Sequence, residues 1–449
     1  MSGPVRPPEG AAPSLGEDVA QRQVGAPTSG PARPPEGAAP SLGEDVAQRQ
    51  AGTPTSAPAR PRGVLPTLAA SAALATFASS IILPALPAMA QAFGVSDAAM
   101  NAALSVFLLV FALAQLVAGP LADRVGRRPV ILAGLCAFLA GSLVCATADS
   151  LAVLLVGRAL QACGAAATAV LARAAARDLF EGAMLTRLLG LIMVVMAAAP
   201  GFSPLAGGVL AQGLGWRSAF YVVALYCLLL AWLYPRFVGE TLPPARRRQL
   251  GPGPVVAGYA TLLRDGRFVR PALAGALVYA GLFALFGSAP LILIQEYGHT
   301  VLQVGLFFAA TVFVVFGAGT LAPRLAGRTG APATLAVGLA LTLLAGAALV
   351  AWTAPPFAAY VAAVCIFLFG MGLVSPVATA MALGPFGDRA GLASALLGFV
   401  QMASAAAGTA LATSLALPRT QALGAVFAAA ALLALGCHRR RPRAAPAAS

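Results

Sequence analysis

Of the chain's 449 residues, 59% are hydrophobic and 10% charged, and the mean hydropathy is +0.84; soluble domains carry about 25% charged residues, so a water-soluble globular protein is excluded. The formal charge of +14 rests on arginine alone, since no lysine occurs, and in a membrane chain such charges are read by the loops they occupy. They alternate from loop to loop and leave no groove-sized basic face, so nucleic acid is excluded as a partner. Six cysteines, Cys136, Cys145, Cys163, Cys227, Cys365 and Cys437, fall in apolar runs without metal-like spacing. They are expected to be small buried side chains, with no disulfide framework and no metal. Two histidines and no placed carboxylate pair leave no constellation for an enzyme and no call on a cofactor.

Residues 1–62 contain no apolar run and are rich in Pro, Gly, Ala and Ser, which predicts a disordered tail and not a signal peptide. Within it, residues 3–29 and 30–56 form a 27-residue tandem repeat, with two arginines and three acids per copy. Two copies without an apolar face do not make a solenoid. Beyond the tail, at about 20 apolar residues per crossing, the chain predicts twelve transmembrane helices. They lie near 64–91, 98–122, 129–148, 152–176, 184–212, 216–236, 270–295, 302–324, 331–353, 357–384, 390–415 and 419–437. The third is expected to open with Pro129 at its first position. The division is a tail (1–62), a six-helix bundle (63–236), a linker (237–269), a second bundle (270–437) and a basic tail (438–449).

Arginines of the tail, of the turn at 124–128, of Arg173, Arg177 and Arg187, of the linker and of the C-terminal tail fall on one side of this pattern. That side is expected to be cytoplasmic, with both termini inside and Arg217 and Arg419 the exceptions outside. The basic linker and tail also suit anionic lipid headgroups. The most charged turn runs from Gly119 to Pro129, and Gly319–Arg328 reads as its copy 200 positions later, with Pro323 where Asp123 stands.

The turn, Gly119, Leu121, Asp123, Arg124, Gly126, Arg127 and Arg128, resembles the signature between spans two and three of the major facilitator superfamily. More narrowly, the chain resembles that superfamily's twelve-span drug/proton antiporters of the bicyclomycin and chloramphenicol resistance (Bcr/CflA) type. Arg158 and Gln161 on span four match a second family pattern, with Ala162 where Gly is usual. Pro200 to Gly208 on span five, including Pro204, Gly207 and Gly208, is similar to the antiporter signature, with Ser203 replacing a glycine. The resemblance implies an all-α integral membrane protein, two pseudo-symmetric six-helix bundles, in the bacterial inner membrane. It further implies a monomer that exports small amphipathic compounds in exchange for protons, the turn acting as a gate latch near span eleven and span five as a hinge.

From the residues themselves, Arg158 lies roughly 10 Å inside the membrane, where an arginine faces a cavity or a partner unless it snorkels outward. Gln115, Tyr279, Phe283, Phe286 and Gln401 are further candidates for a substrate cavity. Without a facing acid, neutral or weakly anionic substrates are expected. An exporter of an endogenous metabolite or organic anion, and a non-transporting scaffold or sensor, are the competing readings. Relatives of this type carry an acid in span one where this chain has Ser80. Coupling then falls to a carboxylate near a span end (Asp123, Asp178 or Glu296), to some other coupling or none, or to the substrate's own ionisation.

Overall fold

The computed structural model describes residues 63–247 and 251–439. The tandem repeat and the last residues of the basic tail lie outside the described residues. Eleven helices are long and apolar enough to cross a membrane among the described residues: Val64–Phe93, Asp97–Val125, Arg127–Ala146, Leu151–Leu179, Arg217–Phe237, Gly266–Glu296, Val301–Thr329, Ala331–Ala351, Phe357–Phe386, Gly391–Ser414 and Arg419–Cys437. Between the fourth and fifth of these runs the helix Gly182–Leu214, 33 residues with Arg187 its one charge. Counted in chain order, these make spans one to twelve.

Their ends follow local chemistry. Ser150 accepts the Val153 N–H at 3.4 Å to open span four. Thr300 and Gln303 exchange side-chain and backbone hydrogen bonds in a capping box at the start of span eight. Span one is interrupted: its helix runs to Ser80, passes through a 3₁₀ turn at Leu83–Ala85 and resumes as Leu86–Phe93, because Pro84 and Pro87 withhold the N–H groups a continuous helix needs.

Helix packing repeats between the halves. In the first half, span one packs on four, five and six, and spans two and three both pack on four. In the second, span seven packs on ten, eleven and twelve, and spans eight and nine both pack on ten. Across the seam, span five meets eight and span eleven meets two, the same pair of contacts related by the pseudo-two-fold. Close approach uses glycine: a Cβ at Gly134 would stand 3.2 Å from the Gly164 carbonyl, and one at Gly338 would stand 2.7 Å from that of Gly370. Spans one and seven are buried over 83% of their apolar stretch, against 39% and 33% for spans two and eight, so they are the central pair. Outward-facing apolar side chains such as Val117, Leu225 and Phe313 are 61%, 68% and 69% exposed, a surface suited to lipid and not to water.

Four expectations are corrected. The second charged turn is not a turn: Gly319–Arg328 lies inside span eight, whose helix continues to Thr329. Spans two and eight start 204 positions apart, at 97 and 301, and end 204 apart, at 125 and 329. The counterpart of Gly126 is therefore Gly330, and both take positive φ, 117° and 87°. Span three begins at Arg127, which puts Pro129 third, still among the first four residues whose N–H groups have no helical partner. The linker carries a helix of its own, Pro252–Arg264, and span seven starts at Gly266. Finally, Cys145 and Cys227 are buried but Cys136 and Cys163 are exposed, because an apolar run in a membrane protein can face lipid as easily as core.

Candidate functional site

The turn between spans two and three is built around two carboxylates from elsewhere. Arg127 is 8% exposed; its Nη1 pairs with Asp123 at 2.6 Å and its Nε with Asp178, on span four, at 3.1 Å. Thr241 Oγ1 donates to the same Asp178 oxygen at 3.0 Å. Glu240, just past span six, lies across the start of span three. Its Oε1 accepts from the N–H groups of Arg127, Thr241 and Leu242 at 2.9–3.0 Å, and its Oε2 from that of Arg128 at 3.3 Å. A carboxylate there satisfies orphan donors and meets the positive end of the helix dipole. A Cβ on Gly126 would stand 2.5 Å from Glu240 Oε2, so glycine is required for room as well as for φ. Gly119 approaches Val170 of span four, and Arg124 and Arg128 are exposed. Glu240 was not singled out in the sequence; its signal is an acid, in Gly239-Glu240-Thr241-Leu242, followed closely by a run of arginines.

Partial burial works to raise the pKa of Glu240, but its four backbone N–H donors outweigh it and hold the carboxyl below its ordinary value of 4.5. A lowered carboxyl stabilises the fold fully above that ordinary value and loses its contribution as pH falls from there through the lowered value. Glu240→Gln is therefore expected to lower the thermal stability of the purified protein at pH 7 and to narrow its gap from the parent as the pH falls below 4.5. A gap that is constant with pH would contradict the capping role.

Arg158 is fully buried. Its Nε donates to Ala103 O of span two at 3.2 Å, and its Nη1 to Ala78 O of span one at 3.3 Å and to Gln161 Oε1 at 2.8 Å. The guanidinium stacks 4.2 Å from the Phe107 ring centroid. Gln161 Nε2 in turn donates to Ser142 Oγ of span three at 2.8 Å. Arg158 and Gln161 thus join spans one to four, and Nη2 has no hydrogen-bond partner.

The other candidates lie along the seam. Gln115 is 3% exposed; its carboxamide oxygen occupies the space a side chain on Gly398 of span eleven would need, and its Nε2 has no partner. Gln401 and Tyr279 are half-buried. Phe283 and Phe286 are buried and pack edge to face at 5.3 Å. On span five, Gly207 faces the Ile81 carbonyl where span one breaks, while a Cβ on Gly208 would stand 3.0 Å from Val301 O of span eight. From the other side, a Cβ on Gly305 would stand 3.1 Å from Pro204 O. The proposed hinge residues therefore lie between span one and the opposite half. Two departures from the family pattern meet here as well: Ser80 Oγ and Ser203 Oγ are 2.6 Å apart and buried. Because Ser80 also donates to Thr76 O at 2.6 Å, Ser203 is the donor between the two hydroxyls.

The family profile described as Major Facilitator Superfamily matches residues 68–409. The chain is 30% identical over 375 residues to Multidrug resistance protein D of Escherichia coli (strain K12), covering 81% of this chain and 92% of that protein. It is 30% identical over 323 residues to Chloramphenicol resistance protein of Pseudomonas aeruginosa, covering 71% and 74%. Among solved structures, the human organic anion transporter MFSD10 (TETRAN) superimposes with a TM-score of 0.65 at 20% identity, covering 84% of this chain and 99% of that one, a likeness of fold.

Proposed function

The chain belongs to the major facilitator superfamily, a multi-pass membrane transporter of a small-molecule substrate, and from that premise we propose that it exports neutral amphipathic compounds by alternating access, in exchange for protons. The charged turn faces the cytoplasm, with both termini, and the site lies at the seam between the halves near the membrane midplane. Relatives named for multidrug and chloramphenicol resistance support export of drug-like compounds. The chain works as a monomer, without a metal or cofactor, and its basic linker contacts anionic lipid.

One observation carries the substrate class: the buried seam offers an unpartnered amide donor, Gln115 Nε2, where span two meets Gly398 of span eleven. A buried donor left unpaired costs about 1–3 kcal/mol, which a substrate carbonyl or hydroxyl offsets, and the candidate seam residues carry no charge to hold a cation. A resistance panel of neutral, anionic and cationic amphipaths on cells overproducing the chain tests this. Protection is expected against the neutral set and is cut about tenfold by Gln115→Leu; protection chiefly against cations contradicts it. The organic-anion reading keeps one observation in its favour, the partnerless Arg158 Nη2, and protection against the anionic set alone selects it.

A further inference from the structure

Positive charge gathers at the turn end of the bundle, which makes the two exceptions at the far end informative. Both are held by acids. Arg217 donates to Asp149 at 3.3 Å and to Ala148 O at 3.0 Å, within the first half. Arg419 instead reaches across the seam: its Nη2 lies 3.2 Å from Asp97 Oδ2. Of the ion pairs among the described residues, Asp97–Arg419 is the one that joins the two halves.

The positions sharpen the point. Arg419 is the first residue of span twelve, and a cation at a helix N-terminus opposes the helix dipole. Its own helix does not favour it there; Asp97 does. Asp97 in turn opens span two, directly after the capping Ser96, where a carboxylate is favoured. The same Asp97 oxygen accepts from Gln295 Nε2 of span seven at 3.3 Å. Gln295 stands in a π-helical turn, Ile292–Glu296, a local widening found frequently at functional sites. The adjacent Glu296 accepts from Thr420 Oγ1 at 3.0 Å, fastening the end of span seven to the start of span twelve. One turn deeper, Asn101 is 2% exposed and faces Gly287 of span seven, where a Cβ would lie 2.9 Å from Asn101 Oδ1.

We propose that Asp97, Gln295 and Arg419 form the outer latch of the transporter, closed in this conformation and broken whenever the seam opens to the outside. The proposal rests on the alternating-access reading with the turn end inward. In that cycle span two must part from spans seven and twelve at the far end. The latch is the polar counterpart, across the membrane, of the Asp123–Arg127–Asp178 network, but it bridges the two halves where that network stays inside one.

The test labels an Asn101→Cys protein in intact cells with a membrane-impermeant maleimide, using the parent chain as the background for its native cysteines. Asn101 is covered while the outer end is closed, so labelling reports opening. Adding Asp97→Arg is expected to raise the labelling rate about two- to fivefold, the range of a partly exposed ion pair, and to slow export. Combining Asp97→Arg with Arg419→Asp restores the pair in reversed order and returns both readings to within about twofold of the Asn101→Cys protein. Labelling that does not change in Asp97→Arg, or that the reversed pair fails to lower, overturns the latch. Labelling that responds as stated while no compound is exported keeps the latch and overturns the export reading instead.

Discussion

Arg158→Ala is expected to reduce export on the order of a hundredfold while the protein still reaches the membrane. The substitution strips Ala78 O, Ala103 O and Gln161 Oε1 of a shared donor in a place where water cannot replace it. Hydrogen bonds to a charged group contribute about 1.5–3 kcal/mol, and about 3 kcal/mol corresponds to roughly two decades in rate. Because these carbonyls belong to spans one and two, the loss falls on the relative placement of the helices that must rearrange. Arg158→Lys is expected to rescue little. An ammonium's three donors radiate from one point, whereas these acceptors are reached from two nitrogens, Nε and Nη1, of a planar group that also stacks on Phe107 at 4.2 Å. Export normalised to the amount of protein in the membrane, read beside thermal unfolding, checks both variants. Wild-type export by Arg158→Ala removes the node from the account, and full rescue by lysine shows that charge alone matters there.

The second large effect is expected at Gly126, with Gly330 as its internal control. Both glycines join consecutive spans at positive φ, 117° and 87°, so alanine strains the backbone at either by about 1–2 kcal/mol. Only at Gly126 does the new Cβ meet anything close: Glu240 Oε2 at 2.5 Å and Arg247 Nη2 at 2.9 Å, against Pro332 Cδ at 3.8 Å for Gly330. Gly126→Ala therefore also displaces the carboxylate that caps span three. It is expected to slow export about tenfold more than Gly330→Ala, with Asp123→Asn falling between them. Equal defects at the two glycines would show that backbone strain, and not the charged network, sets the effect.

Much of this was legible in the sequence, for physical reasons that differ by element. Crossing helices declare themselves by length and apolarity, and the charged turn at Gly119 to Pro129 by its contrast with its flanks. The internal register was not legible: Gly319-Thr320-Leu321-Ala322 resembles Gly119-Pro120-Leu121-Ala122 locally, yet the helix runs on to end at Gly330. Arg158 announced itself as an intramembrane charge, but two of its partners are backbone carbonyls, which every residue type possesses. Glu240 stands 113 positions from the Arg127 N–H it accepts, and no local pattern carries that pairing. Ser80 and Ser203 each departed from the family pattern; only the structure brings the two into one hydrogen bond. With the hydroxyl of Ser80 in place of an acid, span one holds no ordinary proton carrier. Of the carboxylates considered for coupling, Asp123 and Asp178 are tied to Arg127 and Glu296 to Thr420, and Asp178 is shared between Arg127 and Thr241.

Proton-driven export is read from accumulation of a neutral amphipathic drug in everted membrane vesicles containing the protein, with and without an imposed pH gradient, acid inside. Accumulation above vesicles without the protein is expected, with a faster rate when the gradient is imposed and loss of that increment in Gly126→Ala. Accumulation equal to that of protein-free vesicles under both conditions would contradict it.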